Sequence, residues 1–274
     1  MGIVNLVLGK VFDLLFLPVR SLTPWAGLVL VSLLTALLML FVFRLTSNQA
    51  GIRRAKDRIK AHLLELRLYK DNMSVTLRAQ GQILLQNLRY IGYNAKPLLV
   101  MIVPLVLILA QLNLWFGASP LRPGEETLVK VKLREGYSPL ETALELRSTG
   151  GVTVETPPVR IEDEGEYAWR LRAVSAGPAG LEFAVGPSSI SKSVAIGGRP
   201  LAKVSPRRSR SLLDLVLYPG EPPLPADVPI RTIEVLYRGQ TLSFLGIGVH
   251  WLVAYLILSV IFGFALKGVF KVEI

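Results

Sequence analysis

Three runs of this chain hold no Lys, Arg, Asp or Glu: Trp25–Phe43 (19 residues), Pro97–Phe116 (20) and Phe244–Leu266 (23). Each approaches the roughly 20 residues an α-helix needs to cross about 30 Å of hydrocarbon, so three transmembrane helices are expected. With 51% hydrophobic residues and a mean hydropathy of +0.46, the composition fits a membrane protein better than a soluble domain of 274 residues.

Charge near the span ends gives the orientation, because cytoplasmic loops are enriched in Lys and Arg. From Arg44 to Lys96 there are eleven basic and three acidic residues, a net charge of +8 out of +11 for the whole chain. That loop is expected in the cytoplasm. The segment from Gly117 to Ser243 then falls on the other side, with sixteen basic and fifteen acidic residues, and the chain returns to a short tail carrying Lys267 and Lys271.

The segments between the spans have their own patterns. In Gly2–Leu17, Asn5, Gly9, Lys10 and Asp13 fall on one side of a helix and the large apolar residues on the other, which predicts a helix lying in the membrane interface and ended by Pro18. In the basic loop, Ile52, Ile59, Leu63 and Leu66, and then Leu77, Gly81, Leu84, Leu88 and Ile91, recur at spacings of three, four and seven. This is the pattern of two helices packed by heptads, with Asn72 and Ser74 at the turn of an antiparallel hairpin. Beyond the second span, seven stretches alternate or are rich in β-branched residues: 127–133, 143–147, 152–155, 167–173, 181–185, 189–196 and 230–237. Gly and Pro turns separate them, and an immunoglobulin-like sandwich with Trp169 and Leu171 inward is expected.

The predicted fold is thus a membrane α-helical protein with an inserted all-β sandwich. Its parts are an outer interfacial helix (1–20), a first span (24–44), a cytoplasmic basic hairpin (45–96) and a second span (97–116). An exported β-sandwich (117–205) follows, then an amphipathic and Pro-rich segment that returns a strand to it (206–243), a third span (244–267) and a cytoplasmic tail (268–274).

Enzyme chemistry is short of parts. The chain has no cysteine and two histidines, His62 and His250, one in the hairpin and one in a span, so neither a nucleophile–base set nor a metal cluster assembles. No cofactor is expected. Polar residues within the spans are costly unless partnered or wet, which singles out Ser32, Thr35, Gln111, Asn113, His250, Tyr255 and Ser259, with Arg44 at the cytoplasmic end. They either glue helices together or line a wet groove. Arg53, Arg54, Lys56, Arg58 and Lys60 are either a solvated face or a contact for ribosomal RNA, anionic lipid or an acidic protein.

The order of these parts resembles the YidC/Oxa membrane-insertase superfamily, especially its three-span members such as the insertase subunit of the endoplasmic-reticulum membrane complex and the archaeal relatives. Locally, Phe43-Arg44-Leu45-Thr46-Ser47-Asn48-Gln49 is similar to the family's Phe-Pro-Leu-Thr run ending in Gln, and Asn94, Pro97, Leu98, Leu99 and Pro104 to its Asn-Pro and Pro-Leu-Leu pattern. The first span has no arginine near Met39, where YidC-type members carry one, and the β domain is not a usual family part. The resemblance implies a non-enzymatic factor that eases insertion of nascent membrane segments through a polar groove of Ser32, Thr35, Arg44, Gln111 and Asn113. The implied partners are lipid, nascent membrane proteins or the ribosome, and not DNA. The rival expectation is a scaffold subunit of a larger membrane complex, recruiting an outer partner through the β domain; a transporter component has too little wall with three spans. A β domain without cysteine or an Asn-x-Ser/Thr acceptor favours a bacterial plasma membrane over the endoplasmic reticulum.

Overall fold

A computed structural model of the chain describes residues 2–19, 21–197, 201–244, 246–270 and 272. Its helices are α1 (Gly2–Phe16), α2 (Pro24–Thr46), α3 (Gln49–Leu68), α4 (Met73–Phe116), α5 (Leu212–Leu217) and α6 (Trp251–Leu266). The strands are β1 (Glu126–Leu133), β2 (Glu145–Gly150), β3 (Val152–Val154), β4 (Val159–Ile161), β5 (Glu166–Ala173) and β6 (Gly177–Val185). They continue with β7 (Ser188–Ile196), β8 (Arg207–Ser209), β9 (Ile230–Val235), β10 (Thr241–Phe244) and β11 (Ile247–His250). Two compact units result, a β unit of residues 1–28 and 106–253 and a helical unit of 29–105 and 254–274.

Helices α2 and α4 are long and apolar enough to cross a membrane. The second span is not a separate helix, however. It continues the second arm of the hairpin as one helix of 44 residues, with Pro97 and Pro104 inside. Proline has no N–H, so the carbonyls of Tyr93 and Val100 receive no amide from these positions, a loss that packed apolar helices tolerate.

The stretch expected as the third span begins as a β-hairpin. Thr241 pairs with His250 and Phe244 with Ile247, and Gly246 takes φ +85° at the turn, a conformation open to glycine. The helix proper is α6, 16 residues without a charge, or about 24 Å at 1.5 Å per residue. Leu245 of this stretch and Lys271 of the tail lie outside the described residues.

In the β unit, all seven expected strands are present, joined by the short β4, β8 and the β10–β11 hairpin. One antiparallel sheet runs β3-β5-β1-β9-β8, with β4 also on β5, and a second runs β2-β6-β7. Both contribute to one core. Val129, Val131 and Leu133 alternate inward along β1, Tyr167, Trp169 and Leu171 along β5, and Phe183 and Ile190 come from the smaller sheet. Trp169 stacks on Tyr167 with ring centroids 5.5 Å apart and meets Phe183 edge-on at 6.0 Å.

Helix α1 packs on this unit with its polar edge inward. Asn5 Nδ2 donates to the Leu215 carbonyl at 2.7 Å, Asp13 Oδ1 lies 3.2 Å from Lys203 Nζ, and Gly9 is buried. Phe16 packs on Trp115 and Phe116, with centroids 4.7 and 5.8 Å away. The outward face is Leu6, Val7, Val11, Leu14 and Leu17, each more than half exposed. Of the four residues on the expected polar side, only Lys10 stays exposed.

In the helical unit, α3 folds back on α4, with Asn48 capping α3 by accepting from Gly51 N–H at 2.9 Å. On α3 the expected stripe is largely covered, with Ile52 buried and Ile59 and Leu66 half-buried, whereas on α4 it is exposed throughout. Gly51, Ile52 and Ala55 are buried on α3 and Ala79 and Gln86 on α4, and the Tyr93 ring closes over Gly51. Leu63, Leu77, Leu84, Leu88 and Ile91 point away, more than half exposed.

Candidate functional site

The helical unit holds a groove of about 590 Å³ between α2, α4 and α6. Helix α2 supplies Thr35, Ala36, Met39, Leu40 and Phe43, α4 supplies Tyr90, Ile91, Asn94, Ala95, Leu98, Met101 and Leu105, and α6 supplies Tyr255, Leu256, Ser259, Val260, Gly263 and Phe264. Its surface is overwhelmingly apolar, with polar groups at a few points only.

Those polar groups sit on all three walls. Thr35 is buried on α2. Across from it on α6, the hydroxyls of Tyr255 and Ser259 are shielded from solvent, and that of Tyr255 lies against the hydroxyls of Thr35 and Ser259. On α4, Asn94 turns its amide back onto its own helix, donating Nδ2 to the Tyr90 carbonyl at 2.7 Å. Each hydroxyl of such a cluster can make more than one hydrogen bond, so the cluster can also serve a polar atom that enters the groove.

Of the expected groove residues, Thr35 alone lines it. Ser32 is buried one turn earlier, its hydroxyl without a hydrogen bond among the described residues. Arg44 is exposed in the last turn of α2. Gln111 and Asn113 belong to the β unit, where Gln111 is buried and Asn113 packs under Gly117. The groove that the structure does form is thus apolar with a few hydroxyls, and shares only Thr35 with the expected polar set. Tyr90 and Asn94 lay in what reads as cytoplasmic hairpin, and only the length of α4 brings them to this wall. His250 closes the β10–β11 hairpin in the β unit, outside the groove.

The basic residues of α3 keep their expected side. Arg53, Arg54, Arg58 and Lys60 are exposed, and Lys56 is half-buried with Nζ 5.9 Å from the centre of the Tyr90 ring. Since Tyr90 also lines the groove, the basic helix and the groove share a residue.

The β unit holds one buried charge pair. Lys192 Nζ is 2.6 Å from Glu221 Oε2 and donates to the Ser205 carbonyl at 2.6 Å, while Ser193 N–H and Oγ donate to Glu221 Oε1 at 2.8 and 2.7 Å. Burial pushes the Lys192 ammonium below its ordinary range against the pull of Glu221. Burial works to raise Glu221 as well, but the Lys192 charge and the hydrogen bonds of Lys192 and Ser193 outweigh it and hold the carboxyl below the usual value. Every donor and acceptor is matched, so this cluster clasps the Pro-rich segment to β7.

No protein-family model matches the chain, and no curated protein is similar to it. Among solved structures, domains 4 and 5 of the S-layer protein SbsC are similar over 29% of this chain at 16% identity, with a TM-score of 0.24. The chain spans 47% of that structure's length. So distant a likeness carries no functional argument.

Proposed function

We propose that the chain is a membrane-protein insertion or assembly factor of the YidC/Oxa type, whose groove receives an apolar segment of a nascent membrane protein. The observation that carries this reading is the groove itself: apolar walls from three apolar helices, relieved by hydroxyls at Thr35, Tyr255 and Ser259. An apolar helix gains contacts along such walls, while the hydroxyls lower the cost of drawing a polar flank past them. In this reading α6 is a third span, and at about 24 Å it fits a locally thinned bilayer. The basic hairpin is cytoplasmic and approaches the ribosome or anionic lipid through Arg53, Arg54, Arg58 and Lys60. The two-sheet unit, read as immunoglobulin-like, lies on the outer face of a bacterial plasma membrane.

Photocrosslinkers at Thr35, Asn94 and Ser259, in membranes carrying stalled ribosome–nascent chains, test this. Crosslinks to short nascent membrane segments are expected from all three sites, and none from Gln111. Weaker crosslinks after neutralising Arg53 and Arg54 would place the hairpin in the same pathway. Crosslinks to a resident protein alone, unchanged by translation, would overturn the insertase reading.

That last outcome belongs to a second reading, a scaffold subunit. The exposed stripe of Leu77, Leu84, Leu88 and Ile91 favours it, because a heptad seam turned outward fits a partner helix.

A further inference from the structure

Three strand ends meet at one edge of the larger sheet. Arg134 follows β1, Arg231 is the second residue of β9, and Arg210 follows β8; with Glu135, Ser211 and Ile230 they line a pocket of about 490 Å³. Arg134 and Arg210 each donate Nη1 to the same acceptor, the Ala226 carbonyl, at 3.3 Å. Two guanidinium groups are thus held within two hydrogen-bond lengths of each other. Among the described residues neither has a carboxylate partner, and the pocket's one acid, Glu135, is exposed and pairs with Arg231 at 3.7 Å. Like charges gathered on one acceptor repel, and an anion between them reverses the sign of that interaction.

The ground beside this pocket is apolar. Ser211 leads straight into Leu212 and Leu213, which are 74% and 75% exposed. The Leu215 carbonyl is bonded to Asn5, so α5 is tied to α1, whose outward face is leucine and valine and whose chain enters the apolar helix α2 within a few residues. A cationic pocket at the root of two exposed leucines matches a phosphate on an acyl chain.

We propose that Arg134, Arg210 and Arg231 form a binding site for the phosphate of an anionic lipid headgroup, with Leu212 and Leu213 against its acyl chains. Guanidinium forks suit phosphate oxygens, and a lipid supplies the negative charge that Arg134 and Arg210 do not find among the described residues. The site rests on the membrane location of α1 and not on what enters the groove, so crosslinking from Thr35 stays unchanged whether or not it exists.

Native mass spectrometry of the full chain in detergent tests the site, with phosphatidylglycerol or phosphatidylcholine of the same acyl chains, and inorganic phosphate as competitor. Wild type is expected to retain phosphatidylglycerol in preference. R134Q/R210Q lowers that retention about tenfold, R134K/R210K restores part of it, and R53Q/R54Q leaves the difference between wild type and R134Q/R210Q intact. L212S/L213S should lose the lipid as well, which separates a lipid from a soluble ligand. If R134Q/R210Q alters the limited-proteolysis pattern of the β unit, R210Q alone, an exposed side chain outside any strand, gives the same readout. Equal retention of both lipids by wild type, retention unchanged in the arginine variants, or arginine-dependent binding of inorganic phosphate with no lipid preference would overturn the proposal.

Discussion

Lys192 is 1% exposed, yet its ammonium has a carboxylate and two carbonyls for company, which is why the β unit tolerates it. Removing one partner strands the other. E221Q should destabilise the β unit by about 3–5 kcal/mol, whereas the apolar pair K192M/E221L should cost far less. Thermal unfolding of the full chain in detergent checks both. The pH response follows from the sign of the Glu221 shift. Its folded carboxyl titrates below its unfolded value of 4.5, so its stabilisation is complete above that value and fades as pH falls through the lower, folded one. The E221Q profile should be flatter there. Residue chemistry of this kind was only partly legible in the sequence. Thr35 was recoverable as a hydroxyl inside a span, but a lysine in a β-strand gives no sign that a Pro-rich segment will bring Glu221 to meet it.

At the scale of elements, strands were the most legible feature, because a two-sheet domain with one buried face enforces alternation and all seven stretches carry it. Helix faces were less legible. In water the leucine stripe of a hairpin is its packing face; here Ala79 and Gln86 are the buried positions of the hairpin's second arm and the leucines of α4 turn outward. Composition cannot separate the two choices where apolar surface has an outlet other than the partner helix. The same holds for α1, whose polar edge faces protein. The start of the third apolar run was missed because a hairpin and a span can share a charge-free composition, and Gly246 and Gly248 were the only cues. A pair of substitutions tests the hairpin face. A79L, which adds bulk at a buried position, should lower its stability by about 1–3 kcal/mol, and L84S, at an exposed one, should change it by less than about 0.5 kcal/mol. Hydrogen exchange of α3 amides in the full chain reports both.

For the whole molecule, a chain without cysteine invites labelling one position at a time. With a membrane-impermeant maleimide, D71C at the hairpin turn and D163C in the β unit should react from opposite faces of sealed membranes. G268C, just beyond α6, should react from the same face as D71C; reaction from the D163C face would remove the third span. The arrangement also has a mechanical side. Within the helical unit, α4 runs without a break from the basic hairpin to a wall of the groove. Whatever grips the hairpin therefore holds a lever on that wall. Pro97 and Pro104, each omitting a hydrogen bond, flank Leu98 and Met101 of the lining, so the points at which this helix bends most easily lie beside the groove.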